Sequence, residues 1–251
     1  MFPYKDENPT VLTPVVTVGI IALNVLTWVF LQGLGAPGPL AHSVCQLGLT
    51  PGELLGTVRA GVRVPLGDEF FCVIGARPHY ATVLTSMFMH GGWLHLLGNM
   101  WFLWIFGNNI EDAMGHVRFA VFYLLCGVVA AATQVAVQPH SVVPMVGASG
   151  AISGVLGAYL LLYPRVRVHT LVFLGLFVTT ITLPAYLMLG YWILLQLLGG
   201  LPALAGTDTG GVAFFAHIGG FAAGMILVGV FVRSENLRRR PTAPVVYRSW
   251  G

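Results

Sequence analysis

The chain has 251 residues, of which 56% are hydrophobic and only 8% charged, where a soluble domain carries roughly 25% charged residues. With a mean hydropathy of +0.81, this excludes a soluble enzyme, a disordered chain and a disulfide scaffold, and leaves a polytopic membrane protein. The formal net charge of +3 is too small and too scattered to suggest nucleic acid as a partner.

A membrane helix needs about 20 mainly apolar residues, because its backbone must satisfy itself within roughly 30 Å of hydrocarbon. Six such stretches are expected, at 12–32, 88–107, 117–137, 147–163, 183–200 and 211–232. The predicted class is therefore an all-α membrane protein with six transmembrane helices. The first stretch is too long for a signal-peptide core and no small-residue cleavage site follows it, so it is expected to remain. Residues 1–11 form a short N-terminal segment, and 33–85 a polar, Pro/Gly-rich loop. Residues 168–182 are apolar too, and read either as a tilted extension of the fifth span or as a segment lying in the interface. The tail 233–251 is basic and expected to be loose.

Lys and Arg favour the cytoplasmic side of a membrane. With six spans, one side collects Lys5, Arg118, Arg165, Arg167, Arg233, Arg238, Arg239, Arg240 and Arg248, and the other only Arg59, Arg63 and Arg77 of the long loop. Nine against three predicts cytoplasmic termini and an outward-facing loop. There Cys45 and Cys72 meet an oxidising space that permits a disulfide, although nothing in the sequence fixes their distance. Cys126, in the third span, is expected in the core.

Polar residues in hydrocarbon are costly and mark sites or packing contacts. The candidates are Asn24, Thr27, His90, His95, Asn99, Asn108, Ser149, Ser153, Gln196 and His217. No acidic residue lies within an apolar core; Glu111 and Asp112 sit at the end of the second span. Spans two, four and six run in the same direction, so His95, Asn99, Ser149 and His217 share one layer to within about 10 Å. Gly150 and Gly154 make a small-residue step beside Ser149, and Gly220 and Gly224 follow His217 on its own helical face. If spans four and six pack glycine to glycine, Ser149 meets His217.

At these residues the sequence resembles the rhomboid family of intramembrane serine proteases. The carrying segments are HGGWLHLLGN (90–99), LWIFGNNIEDAMG (103–115), GASGAISGVLGAYL (147–160) and AHIGGFAAG (216–224). The nucleophile motif falls on Gly147, Ala148, Ser149 and Gly150, the histidine motif on Ala216–Gly220, and the HxxxN pair on His95 and Asn99. The resemblance implies a six-helix core whose water-filled site opens outward and cuts the membrane segments of other proteins. The residue types suit that chemistry: a serine hydroxyl needs an adjacent base, which neutral histidine provides, and an oxyanion needs donors fixed in advance. Ser149 would attack, His217 would act as base and then acid, and Asn99 and His95 would stabilise the oxyanion. With no carboxylate at hand, the catalyst is expected to be a dyad.

Two positions depart from the family pattern. The Trp-Arg pair often found before a loop threonine reads Ala81 and Thr82 here, ahead of Thr85, which leaves the usual loop fold in doubt. The aromatic four residues after the nucleophile is Ser153, so His217 must be oriented by other packing or held less rigidly. His90 and Glu111 are read as structural.

No HExxH string is present, and the histidines lack ligand spacing, so neither a metal nor another cofactor is expected. A transporter would show inverted repeats and intramembrane charge. The rival from another class is a catalytically silent rhomboid-like protein that binds membrane clients. The expected partners are single-pass membrane proteins and the lipid bilayer, in a bacterial or archaeal cell membrane. The fifth span, LPAYLMLGYWILLQLLGG, offers no catalytic candidate and is assigned as the lateral gate.

Overall fold

The computed structural model describes residues 2–67, 69–175, 177–204 and 212–239. In chain order the elements are β1 (Phe2–Asp6), α1 (Val15–Phe30), α2 (Pro37–Leu47), α3 (Pro51–Leu54), β2 (Arg63–Leu66), β3 (Phe70–Val73), α4 (Thr82–Thr85), α5 (Trp93–Met114), α6 (His116–Val137), α7 (Ser149–Leu162), β4 (Arg167–Leu174), β5 (Phe177–Pro184), α8 (Ala185–Leu204), α9 (Phe214–Phe231) and α10 (Ser234–Arg239). A helix thus occupies each of the six predicted stretches. By length and hydropathy three of them, α6, α8 and α9, are long and apolar enough to cross a membrane; α1 and α7 are apolar but shorter.

Helix α7 is the axis of the bundle, surrounded by α5, α6, α8 and α9. Ten consecutive residues, Gly150–Tyr159, are buried, as expected of a helix hydrophobic all round. Its contact with α9 is made by backbone. A methyl group on Gly220 would overlap the Gly150 carbonyl, one on Gly224 the Gly154 carbonyl, and one on Gly157 the Phe221 carbonyl. The other face of α7 is as close: a Cβ on Gly150 would lie 2.7 Å from Ala130 of α6, and one on Gly154 would overlap Cys126, which is buried in the core. Phe106, Phe119, Phe122, Tyr123 and Tyr159 fill the half of the core beyond these contacts.

The acidic residues serve as caps at the end of the bundle remote from the long loop. Buried Glu111 accepts from the Val16 and Thr17 backbone N–H groups and the Thr17 hydroxyl, at 2.7–2.9 Å, and contacts His116 Nδ1 at 2.6 Å. These are the first-turn donors that a helix cannot satisfy itself. Asp112 accepts from the N–H groups of Val11 and Leu12.

Two expectations are corrected here. Residues 168–182 do not extend the helix of the fifth span. They form the antiparallel hairpin β4–β5, with β1 paired to β4 as a third strand in the order β1-β4-β5. The segment is rich in β-branched residues, and Gly175 takes φ +64° in the two-residue turn between Leu174 and Phe177, the position where such turns favour glycine. The second correction concerns the tail, whose first residues form α10, anchored where Arg233 N–H donates to the Ala113 carbonyl. Residues 240–251 lie outside the described residues.

The long loop is folded. Cys45 and Cys72 form a disulfide, with Cα atoms 5.1 Å apart, joining α2 to the β2–β3 hairpin. Leu49 and Met145 exchange both backbone hydrogen bonds, and the Thr85 hydroxyl donates to the Leu47 carbonyl. These contacts hold the loop without the Trp-Arg pair.

Gly224→Val is expected to cost about 3 kcal/mol, as overpacking of a tight contact does. Gly229→Ala on the same helix, where a Cβ meets open space, should be neutral or stabilising. Thermal denaturation in detergent compares them, and equal midpoints for both variants and wild type would refute the packing argument.

Candidate active site

A cavity of about 740 Å³ lies between α5, α7, α8 and α9, at the end of the bundle that bears the long loop. His95 and Asn99 line it from α5, Ser149 from the first turn of α7, Trp192 and Gln196 from α8, and His217 from the first turn of α9. Its deeper wall is apolar, built from Phe102, Ile152 and Leu156.

The glycine contact between α7 and α9 sets the first turns of both helices side by side. Ser149 Oγ lies 2.7 Å from His217 Nε2. On its other side, His217 Nδ1 lies 2.7 Å from Gln196 Oε1. An amide oxygen only accepts, so Nδ1 carries the proton and Nε2 presents a lone pair to the serine hydroxyl. The Trp192 ring lies over the same imidazole at 5.9 Å, tilted by 41°. Gln134 of α6 seats the start of α9 by accepting from the Ala216 N–H at 3.1 Å.

His95 takes the opposite tautomer. Its Nδ1 accepts from the Gly91 N–H at 3.3 Å, which leaves the proton on Nε2. That edge of the ring packs on Gly147, where a Cβ would come within 2.8 Å of Nε2 and 3.4 Å of Ser149 Oγ. Gly147 itself takes φ +129°, and its N–H donates to the Ser86 carbonyl. Asn99 is buried and donates one amide hydrogen to the His95 carbonyl at 2.9 Å.

The remaining candidates are elsewhere. Asn24 donates to the Ile20 carbonyl within α1, and the Asn108 side chain bonds Asn109 at the far end of the bundle. Buried His90 touches the site only through its ring, edge-on to His95 at 5.2 Å; Gln32 clamps its backbone at both N–H and carbonyl. Ser153 uses its hydroxyl on the Ser149 carbonyl at 2.6 Å. Among the described residues no three His, Cys, Asp or Glu side chains gather as metal ligands.

The fifth span is not devoid of functional groups, as its sequence suggested. It supplies Trp192 and Gln196, both in contact with His217. Gln196 is marked in the sequence by its polarity within a span; its spacing of four from Trp192 places both on one helical face, the one signal for Trp192. Gln134, on α6, carries the same signal as Gln196, a polar side chain within a predicted span, and is missing from the candidates.

Gly147→Ala should cost about 1–3 kcal/mol, since a non-glycine residue in this backbone region is strained and its Cβ must displace His95. An unchanged thermal midpoint for purified Gly147→Ala would contradict this.

Comparison with known proteins agrees with this geometry. A model of the Rhomboid domain matches residues 77–234, more than half of the chain. The chain is 31% identical over 179 residues to rhomboid-like protein 11, chloroplastic, of Arabidopsis thaliana, covering 65% of this chain and 59% of that protein. It is 36% identical over 85 residues to the rhomboid protease GluP of Bacillus subtilis (strain 168), covering 34% of this chain and 16% of GluP. Over 80 residues it is 36% identical to inactive rhomboid protein 1 of Drosophila melanogaster, covering 32% of this chain and 6% of that protein. The matched stretches thus span three-fifths or less of these relatives. With the domain match covering the helices that build the cavity, the chain belongs to the rhomboid family.

Proposed function

We propose that this membrane protein is an intramembrane serine endopeptidase that cuts peptide bonds in or near transmembrane segments of other proteins. The observation that carries the reading is the 2.7 Å contact between Ser149 Oγ and His217 Nε2, in a cavity large enough for an extended peptide segment. Ser149 Oγ attacks the scissile carbonyl while its proton passes to His217 Nε2. The oxyanion is met by the Nε2–H of His95, the second amide hydrogen of Asn99 and the backbone N–H of Ser149, one of the helix's unpaired first-turn donors. His217 then protonates the leaving amine, and a water, deprotonated in its turn by His217, hydrolyses the acyl-enzyme. Gly147, Gly150, Gly154, Gly220 and Gly224 hold this arrangement together.

The charge asymmetry supports cytoplasmic termini, a cell-membrane location with six spans, and a site near the outer leaflet. Helix α7 has 14 residues, about 21 Å of rise against roughly 30 Å of hydrocarbon. With its other end at the boundary such a helix would start short of the outer surface, which supports a Ser149 that lies below that surface and is reached by water through the cavity. Substrates are single-pass proteins whose helix unwinds there, because a fully bonded helix hides its carbonyls.

A fluorophosphonate probe should label the wild-type chain and not Ser149→Ala, and only wild type should cut a transmembrane reporter in liposomes. Wild type that neither labels nor cuts would favour a catalytically silent, client-binding protein; one relative, inactive rhomboid protein 1, is inactive by its name.

Substrate is admitted between α5 and α8. Only 22% of α8's apolar window is buried, against 44% for α6 and 39% for α9, so α8 is the least held of the three. Nearer the other end β1 lies along α5, bonded at Trp101 and Asn109, and leaves the stretch at Leu94 and Leu97 exposed. A covalent link between α5 and α8 should abolish cleavage of a membrane-embedded reporter while sparing labelling by the small probe. Undiminished cleavage would rule this route out.

A further inference from the structure

We propose that Gln196 is a positioning residue that completes a Ser149–His217–Gln196 chain, fixing the tautomer in which His217 is a base. This rests on the protease reading above. A neutral imidazole can protonate either nitrogen, and only the form with a bare Nε2 can take the Ser149 proton. Gln196 Oε1, 2.7 Å from Nδ1, accepts a hydrogen bond and cannot donate one, so it selects that form. Were the amide turned about, its NH2 would donate to Nδ1 and leave Nε2 protonated against the serine. The turn is opposed by the Trp192 carbonyl, which receives the Gln196 Nε2 hydrogen at 3.4 Å.

Among the described residues nothing else does this. The described side chains around the imidazole are Ser149 from α7, Trp192 and Gln196 from α8, and His95 from α5, and of the described residues lining the cavity only His95 and His217 titrate. Ser153, one turn beyond the nucleophile, has its hydroxyl on the Ser149 carbonyl and no ring to offer. As proton transfer makes the imidazolium, the amide oxygen still accepts from Nδ1–H, as the asparagine of Cys-His-Asn proteases does.

The test uses the full chain in liposomes with a transmembrane reporter. Gln196→Met, which keeps the volume and loses the acceptor, should lower kcat about 10- to 100-fold with KM within about twofold, because only tautomer selection is lost. In Gln196→Glu a carboxylate beside Nδ1 favours the charged imidazole. The acid limb of kcat/KM, set by protonation of His217, should therefore move to higher pH by about one unit. A purely structural role would leave that limb in place. Wild-type kcat in Gln196→Met, or an unmoved acid limb in a folded Gln196→Glu, would overturn the assignment. Solid-state 15N spectra of His217 decide it apart from catalysis: Nδ1–H should dominate in wild type and lose that dominance in Gln196→Met. An inert wild type with that spectral change would sink the protease reading and leave the Gln196 assignment standing; equal tautomer ratios would sink the latter.

Discussion

Everything in the site depends on how closely α7 and α9 approach. Apolar burial cannot draw two helices together in lipid, where the surroundings are as apolar as the side chains, so contact must come from close packing. Here Gly150, Gly154, Gly157, Gly220 and Gly224 bring backbone against backbone, so near that a single methyl at Gly220 or Gly224 would overlap a facing carbonyl. The contact fixes not only the distance but the register of the two helices. Ser149 and His217, the proposed nucleophile and base, both stand in the first turn, so the register that seats the glycines also sets Ser149 Oγ 2.7 Å from His217 Nε2. The packing motif and the chemical motif are one constraint.

A second constraint, the cost of charge, explains where carboxylates appear. Glu111, Asp112 and Asp6 all lie at the end of the bundle remote from the cavity, where each accepts hydrogen bonds from backbone N–H groups or from Tyr159 and Asn109. A buried carboxylate without such partners would be far more costly than a buried amide. At the cavity an amide, Gln196, contacts the histidine, and in the proposed mechanism it stands where soluble serine proteases use aspartate. The gain is a neutral site; the sacrifice is the electrostatic support that a carboxylate gives the imidazolium. The expectation of a bare dyad followed from the missing carboxylate; the proposal adds that a neutral acceptor also orients a ring.

What could be read from the sequence follows the same division. Ser149, His217, His95 and Asn99 were legible because chemistry demands particular residue types at fixed spacings within a helix, and a single chain displays them. Trp192 was not, and Gln196 was marked only as a polar residue within a span, not as a partner of His217. Which face of α8 meets α9 depends on the packing of two helices whose apolar surfaces continue all round, and lipid-facing and protein-facing residues look alike there. The strands of the hairpin 167–184 went unrecognised for a related reason: a short apolar run has no clear period to tell strand from helix. Its signal lay in β-branched composition and the glycine of a two-residue turn. The pairing of Cys45 with Cys72 depended on distances across a folded loop that spacing does not give.

The hairpin also bears on the site, through the lever arm of α8. The helix is rooted where β5 ends: the Ala185 N–H donates to the Val166 carbonyl and the Tyr186 N–H to the Pro164 carbonyl. The sheet in turn is tied through β1 to Trp101, and through Asp6 to Asn109 and Tyr159. Gln196 stands eleven residues above this root, about 16 Å along the axis. A tilt of about 10° would carry it roughly 3 Å, more than a hydrogen bond tolerates. Near the other end of α8 the Phe214 ring lies so close to Gly199 that a Cβ there would overlap it, which holds the helix upright. On the protease reading proposed above, outward tilt of α8 would widen the route to the cavity and withdraw the acceptor that orients His217. A site built this way would be competent only when α8 had come back to its seat, so that admission of substrate and attack upon it would fall at different positions of one helix.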